Sequence, residues 1–232
     1  MIKLYKSVFI LFSLAMMSVT HAAADELPSL PSWQVLEYEQ RAFEAATGRV
    51  LSRARISSGK EQRMKSYQYN ADHILRERRN APSNSAVPAN EWPLSNTRYL
   101  DYPASRGDTV VTSPYMLVLL AAQLQAQGPN KSMEVLVNTD LNFYRVKLTS
   151  GNGITIDADY KVAGQEPVST RVDTIAVAIQ ASPEGTLVDD DDFSVLGLDG
   201  EIILLFDPAT GLPLQIRGDA PRIGGTEITL KS

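Results

Sequence analysis

The C-terminal stretch, residues 201–232, restricts the possible folds more than any other part of the chain. An apolar run ends at Phe206 and is followed by residues 207–211, DPATG, which suit a type I turn closed by a glycine with positive φ. Apolar and polar residues then alternate over 212–216, the period of a strand with one buried face. After a turn rich in Gly and Pro, the alternation resumes over 227–231. The stretch predicts antiparallel strands joined by tight turns.

The same turn pattern occurs near the start of the chain. Residues 43–51, FEAATGRVL, match residues 206–214, FDPATGLPL, at the Phe, the acid, Ala-Thr-Gly and the final Leu. A hairpin at the second site therefore predicts a hairpin at the first. The alternative for the first site is an amphipathic helix over residues 33–43, capped by Ser32.

Strand and turn signals divide the rest of the chain into segments. Turn residues between short β-like runs predict a meander of about four strands over residues 33–79. Four prolines with little periodicity predict a long loop or crossover over 80–112, which Trp92 and Tyr99 are expected to pin to the body. Residues 132–232 are predicted as C-terminal strands, with a tight turn at Asn152 and its flanking glycines.

One helix is predicted, over residues 113–127. Ser113 suits the N-cap, Pro114 the first turn, and Gly128-Pro129 the end of the helix. The first two turns are apolar on all sides, so the helix should be buried. The chain is therefore expected to be mainly β: a curved antiparallel sheet, or half-barrel, with one buried helix in its concave face.

The first residues have the composition of a leader peptide. Two lysines precede an apolar run over residues 7–19, and cleavage by signal peptidase is expected after Ala22 or Ala24. The run is shorter than the roughly 20 residues of a membrane span, and a retained anchor is the alternative. We expect a signal peptide at 1–24, a single β-rich domain over 25–232, and a periplasmic location. No cysteine occurs, which excludes disulfides, thiol chemistry and lipidation on Cys.

The positive charge is concentrated in the predicted meander. The chain has a formal net charge of −5, yet residues 41–79 contain ten Lys or Arg against four acids. Overall acidity argues against general nucleic-acid binding. If the meander strands pair in order, three pairs of cations project from one face at period two. The pairs are Arg53 with Arg55, Arg63 with Lys65, and Arg76 with Arg78.

This basic stripe suits anionic headgroups or phosphorylated sugars. Tyr67 and Tyr69 are separated from Arg63 and Lys65 by even numbers of residues along the same strand, so they should share their face. The alternative is that the stripe is an ordinary solvated face of the sheet.

The order of the elements resembles a known family. The predicted helix is followed by antiparallel strands, then by Asp207, a turn, Leu-Pro-Leu at 212–214, alternating Gln-Ile-Arg, and Gly224-Gly225 before the last strand. This order resembles the proteobacterial periplasmic family called domain of unknown function 3108, over residues 107–232 and, through the turn repeat, back to Leu36. The resemblance implies the curved sheet with a helix in its concavity, similar in outline to periplasmic lipoprotein carriers. It implies no activity.

Residues that carry enzymatic or metal chemistry are sparse. His73 is the only histidine outside the leader, and no nucleophile elbow occurs. Asp157 and Asp159 share the polar face of a predicted strand, where solvated carboxylates are ordinary. Residues 189–192 are four aspartates, but they lack the spacing and the glycine of a calcium loop. We expect no catalytic, cofactor or metal site.

The face of the predicted helix offers a second candidate site. Tyr115, Met116, Leu119 and Leu120 line a cavity if helix and sheet leave one between them, and core packing is the alternative. The sequence thus favours an exported, non-enzymatic binding module for a lipid or another amphipathic or anionic ligand. The alternative is a structural or assembly scaffold of the cell envelope that acts through protein partners.

Overall fold

The computed structural model describes residues 35–44, 47–58, 62–82, 87–161, 166–188, 190, 193–221 and 223–229. The predicted signal peptide lies outside the described residues, as do most of the four consecutive aspartates. Within the predicted domain the chain divides into two compact units, each built on one sheet. The predicted fold class is confirmed: the residues that the structure describes are mainly β, in antiparallel or mixed sheets, with one α-helix.

The first unit is a meander of five strands in sequence order. The strands are β1 (Val35–Glu44), β2 (Arg49–Ser58), β3 (Arg63–Tyr69), β4 (His73–Asn80) and β5 (Leu94–Asp101). The pairs from β2 to β5 are antiparallel. β1 is a strand beside β2, so the helical alternative for this segment is wrong and the first hairpin is confirmed.

The proline-rich crossover contains a strand that the sequence did not predict. β5 pairs with β4 along its whole length, with a register shift between Arg78 and Arg79. Trp92 pins the segment as expected: its ring is buried against Ala54 and Met64, and its indole N–H donates to the Val87 carbonyl at 3.0 Å. Tyr99 is 68% exposed, and it contacts the rest of the sheet through the ring of His73 on β4.

The second unit is a sheet of seven strands with one helix. Its order is β12-β11-β10-β9-β8-β7-β6, antiparallel except for the parallel pair β6 and β7. The elements are β6 (Val111–Thr112), α1 (Met116–Gln125), β7 (Ser132–Asn138), β8 (Phe143–Tyr160), β9 (Val168–Pro183), β10 (Asp199–Phe206), β11 (Pro213–Ala220) and β12 (Gly224–Thr229).

Helix α1 begins later than predicted. Its N-cap is Tyr115, so the prediction that Ser113 caps it is wrong. A turn precedes the helix, in which the Met116 N–H donates to the Ser113 carbonyl at 3.0 Å. The predicted end is confirmed, because Gly128 has φ +88° and its N–H donates to the Gln125 carbonyl.

The main hydrophobic core lies between α1 and the strands of the second sheet. The helix contributes Leu117, Leu120, Ala121 and Leu124, each at most 2% exposed. They pack with side chains that lie on β7 to β11, among them Tyr144, Val146, Val177, Ile179, Leu204, Phe206 and Ile216. The apolar composition of the helix is explained by this burial, since a polar side chain there would lose its hydration.

The predicted turn at Asn152 is wrong. β8 runs through it as one strand of 18 residues, paired with β9 on both sides of a register shift between Asn152 and Thr155. At Gly153 a Cβ atom would overlap the Thr174 hydroxyl and lie 2.8 Å from the Thr174 carbonyl oxygen. The glycine therefore allows a bulge and a close approach of two strands, which is another common use of glycine in sheets.

The two matching turns have the same glycine conformation. Gly48 has φ +70° and Gly211 has φ +71°, as their sequence repeat predicts. Residues 45–49 belong to the second unit, where the Gly48 carbonyl accepts a hydrogen bond of 2.7 Å from Thr112. A Cβ atom on Gly48 would lie 2.5 Å from Leu120 Cδ2, and one on Gly211 would lie 3.3 Å from Gln125 Nε2. Both turns thus approach helix α1.

The second of these turns is fixed by a buried carboxylate. Asp207 accepts hydrogen bonds from the Tyr160 hydroxyl at 2.9 Å and the Ala209 N–H at 2.8 Å. Burial raises the pKa of Asp207, but these donors and Thr210 outweigh burial, so the pKa lies below its ordinary value. For Tyr160, the Thr210 bond acts to lower the pKa, but burial and the Asp207 carboxylate together raise it.

Candidate anion-binding face

The register of the first sheet places all six predicted cations on one face. In antiparallel strands, residues directly opposite each other share a face, and so do residues two apart along a strand. Arg53 lies opposite Tyr67, which lies opposite Arg76. Arg55 lies opposite Lys65, which lies opposite Arg78, while Arg63 is two residues from Lys65. We refer to this side of β2 to β5 as the basic face.

The structure adds one cation that the sequence did not suggest. Arg98 of β5 lies directly opposite Arg76, so it extends the row that begins at Arg53 across a fourth strand. The segment around it alternates poorly because seven of the eight residues of β5 are exposed. In a strand paired with β4, Arg98 faces the same side of the sheet as Arg76. The sequence shows this only after residues 94–101 are recognised as a strand.

Like charges stand directly opposite each other on this face. The adjacent pairs are Arg55 with Lys65, Lys65 with Arg78, and Arg76 with Arg98. Side chains in such positions are about 5 Å apart at Cβ, and like charges there repel. No Asp or Glu occupies these cross-strand rows on β2 to β5; the nearby Glu77 lies opposite Ser66 and Thr97, on the other face. The arrangement concentrates positive potential on one side of the sheet.

One buried arginine is held by two tyrosines. The Arg53 guanidinium carbon lies 3.7 Å from the centre of the Tyr67 ring, a cation–π contact. Its Nε–H also donates to the Tyr69 hydroxyl at 2.9 Å. Burial raises the pKa of Tyr69, although the Arg53 charge and hydrogen bond act in the opposite direction. The predicted shared face of the two tyrosines with the cations is thus observed.

The cations differ in how accessible they are. Arg53 and Arg76 are buried, at 5% and 6% exposure. The side chains of Arg55, Arg63, Lys65 and Arg78 are partly exposed, and Arg98 is exposed. A ligand can therefore reach the row Arg55–Lys65–Arg78 from solvent, together with Arg63 and Arg98. Arg78 is partly ordered by the hydrogen bond that its Nε–H donates to Asn80 at 3.1 Å.

Two of the four helix residues that were predicted to line a cavity are buried, and the other two are partly exposed. Leu120 belongs to the main core, and Met116 is 5% exposed. Tyr115 and Leu119 are partly exposed. The structure therefore brings Leu120 into core packing, and a ligand cavity along this helix stays a prediction.

The other candidate residues have local partners. His73 lies 2.8 Å from Asp72 and 3.0 Å from the Asn70 amide, with its ring edge against Tyr99. Asp157 pairs with Arg171 at 3.6 Å on exposed positions of β8 and β9. Among the residues that the structure describes, no group of three His, Cys, Asp or Glu side chains is placed to hold a metal ion.

The second unit has its own polar cluster around Arg145. Its guanidinium donates to Glu134 at 2.7 Å, to Glu184 at 2.8 Å and to the Ser105 carbonyl at 3.1 Å. Hydrogen bonds to the two carboxylates raise the pKa of Arg145, and the Arg145 bond holds the pKa of Glu184 below its ordinary value. One cation here is shared by two carboxylates, so this cluster ties loops to strands and has no excess of positive charge.

Comparisons with known proteins do not assign the chain to a family. No family model, curated protein or solved structure matches it. The resemblance to domain of unknown function 3108 stays a prediction. Within the described residues, no helix has the length and apolar character needed to cross a membrane.

Proposed function

We propose that this chain is an exported, non-enzymatic binding protein that holds an anionic, phosphate-bearing ligand on its basic face. The observation that carries the proposal is the accessible row Arg55–Lys65–Arg78 with the second row Arg76–Arg98 beside it. Like charges directly opposite each other repel, and a bound anion reduces that repulsion. Ligand binding and stability of the first sheet are then coupled.

The geometry suits phosphate groups in particular. Neighbouring strands lie about 4.8 Å apart, so three cations in one row span about 10 Å. Arginine offers a planar fork of donors that matches phosphate, while lysine acts as a compact point charge. A row of Arg, Lys and Arg can thus engage one phosphate from several strands, or two phosphates of one molecule.

The buried Arg53 lies on the same face as the accessible row, two residues from Arg55 along β2. Because Tyr67 and Tyr69 fix its guanidinium, its charge adds to the local potential without moving when a ligand binds. A fixed charge in partly desolvated surroundings acts more strongly than one in water. This arrangement favours a preformed site over one assembled on binding.

The proposed periplasmic location is supported by residues 1–24, which have the composition of a leader peptide. Anionic lipid headgroups and phosphorylated sugars are both ligands of this chemistry that an exported protein meets. The shared phosphate group is what the basic face recognises in this proposal.

The direct test measures binding of the mature chain to three probes at low ionic strength. These are glycerol 3-phosphate, vesicles of phosphatidylcholine alone, and vesicles that also contain phosphatidylglycerol. The key variant carries Arg55→Gln, Lys65→Gln and Arg78→Gln. We expect about a tenfold or greater loss of affinity in this variant, because each charge-assisted hydrogen bond contributes roughly 1.5 kcal/mol.

A matched variant controls for net charge. It carries Lys131→Gln, Lys147→Gln and Arg171→Gln, which are exposed positions of the second unit and lower the charge by the same amount. Equal losses in both triple variants, or no binding to any anionic probe, would refute the proposal. Binding to phosphatidylglycerol vesicles alone identifies a lipid surface, whereas binding to glycerol 3-phosphate as well identifies the headgroup phosphate as sufficient.

A further inference from the structure

Strand β5 forms an edge of the first sheet. It lies at the end of the order β1-β2-β3-β4-β5, and no other described strand pairs with its outer side. It is eight residues long, and every residue except Leu100 is exposed. An edge strand presents a row of backbone donors and acceptors, which can pair with an incoming strand.

The prolines and the bulge that help to protect such an edge lie near the ends of β5. Pro93 precedes the strand and Pro103 follows it closely, and the register shift lies at Ser95, between the pairs Arg79 with Leu94 and Arg78 with Asn96. From Asn96 to Asp101 the pairing with β4 is regular and contains no proline. In contrast, the edge strand β6 of the second sheet has only two residues.

The two faces of β5 differ in chemistry. Arg98 and Asn96 lie on the basic face, in the rows of Arg76 and Arg78. Tyr99 lies on the opposite face and is 68% exposed, with its ring edge against His73. A strand added beside β5 would therefore place one side chain next to Arg98 and the following one, on the other face, next to Tyr99.

We infer that the outer edge of β5 binds an extended segment of a protein partner in which acidic and apolar residues alternate. Backbone hydrogen bonds to β5 supply the general affinity, as in strand addition by other peptide-binding domains. An acidic side chain on the added strand, opposite Arg98, lies next in the row after Arg76 and Arg98 and pairs with Arg98. An apolar residue opposite Tyr99 covers the tyrosine ring. This inference is independent of the phosphate proposal, because the backbone of β5 carries it.

The test uses a labelled peptide of about nine residues, enough to pair with the eight residues of β5 and within the usual range of strand lengths. Glu occupies every second position, with Val or Thr between, and both ends are blocked. A second peptide has Lys in place of Glu. Two further versions of the acidic peptide are N-methylated at alternate residues, one on the odd and one on the even positions, so that each lacks backbone donors along one edge.

Strand addition gives a specific pattern in fluorescence anisotropy with the full mature chain. The acidic peptide binds, the Lys peptide does not, and only one of the two methylated peptides retains binding, since an added strand uses one edge. Arg98→Glu weakens binding by about fivefold, the size expected for reversing one cross-strand charge pair. The control Arg171→Glu, an exposed cation on β9 whose side chain is 77% exposed, leaves binding unchanged.

Three results would overturn the inference. Equal binding of both methylated peptides would show that charge alone attracts the acidic peptide to the basic face. Binding of the Lys peptide as tight as that of the Glu peptide would remove the role of Arg98. An acidic peptide that binds with the same affinity to the Arg98→Glu variant would place the contact away from β5.

Discussion

The two sheets of this protein use their faces in opposite ways. The second sheet buries one face against helix α1, with a large core in which Leu117 and Leu120 are fully buried. The first sheet has a small apolar cluster around Ala54, Met64 and Trp92, and its other face carries aligned cations beside the buried Tyr67 and Ile74. The difference indicates that stability is concentrated in the second sheet, while the first keeps charged groups close together at some cost in stability.

The largest expected effect tests where stability is concentrated. Leu117→Ala removes a fully buried side chain of α1 and should lower the free energy of unfolding by about 3 kcal/mol or more. Met64→Ala in the smaller cluster should cost about 2 kcal/mol, because fewer neighbours lose contacts and they relax more easily. Urea unfolding followed by circular dichroism measures both. A cost for Met64→Ala that equals or exceeds that of Leu117→Ala would contradict the comparison.

The second prediction compares the glycines of the two turns that approach helix α1. Gly48→Ala combines positive φ with a Cβ atom 2.5 Å from Leu120 Cδ2, and should cost about 2–4 kcal/mol from backbone strain and overpacking together. Gly211→Ala has the same φ but a wider contact, so we expect about 1 kcal/mol. Gly151→Ala, which would meet no atom within 4 Å, is the control, and thermal unfolding gives the ranking. Equal losses for Gly48 and Gly211 would exclude a role for Leu120.

A third prediction concerns pH. Tyr160→Phe removes a hydroxyl that donates to the buried Asp207 carboxylate and should cost about 1–2 kcal/mol at neutral pH. The pKa of Asp207 is lowered in the folded state, so its contribution is present above the ordinary carboxyl pKa and is lost as pH falls through the folded value. The difference between wild type and variant, measured by urea unfolding, should therefore shrink on acidification. A difference that grew at low pH would show that the carboxylate is not the partner that matters.

The smallest expected effects differ in sign between the sheets. Arg98→Gln in the first sheet relieves the pair with Arg76 and should stabilise the empty protein by about 0.2–0.5 kcal/mol. Glu227→Gln in the second sheet removes the acid that lies 2.9 Å from Arg217 across the strands and should destabilise by a similar amount. Both effects should fade at high salt. The same sign for both substitutions at low salt would argue against repulsion on the basic face.

The sequence predicted the features that depend on local periodicity. Arg53 and Arg55, and Arg76 and Arg78, share a face because side chains alternate along any strand, so their grouping follows once the strands are placed. The glycines at 48 and 211 adopt the conformation that their repeated turn indicates. The apolar composition of α1 likewise predicts its burial, which the structure confirms.

The sequence failed where one pattern fits two structures. Asn152 beside Gly153 is typical of a hairpin turn, yet the same glycine permits the bulge in β8, and pairing with β9 decides between them. β5 is exposed on both faces, so it lacks the apolar alternation that reveals a half-buried strand, and Arg98 was missed with it. Ser113 has the side chain of an N-cap, but a turn that includes Pro114 delays the start of the helix to Met116.

The long hairpin of β8 and β9 has a consequence for how the chain folds. Its two strands pair from Tyr144 with Pro183 to Tyr160 with Val168, so its innermost contacts close a short loop and form with little loss of chain entropy. We expect pairing to start there and to reach the Gly153 bulge before the outer strands add on either side. The Thr174 hydroxyl donates to the Ile154 carbonyl at 2.7 Å, next to this bulge. Because early pairing has to pass this position, Thr174→Val should slow refolding more than it speeds unfolding.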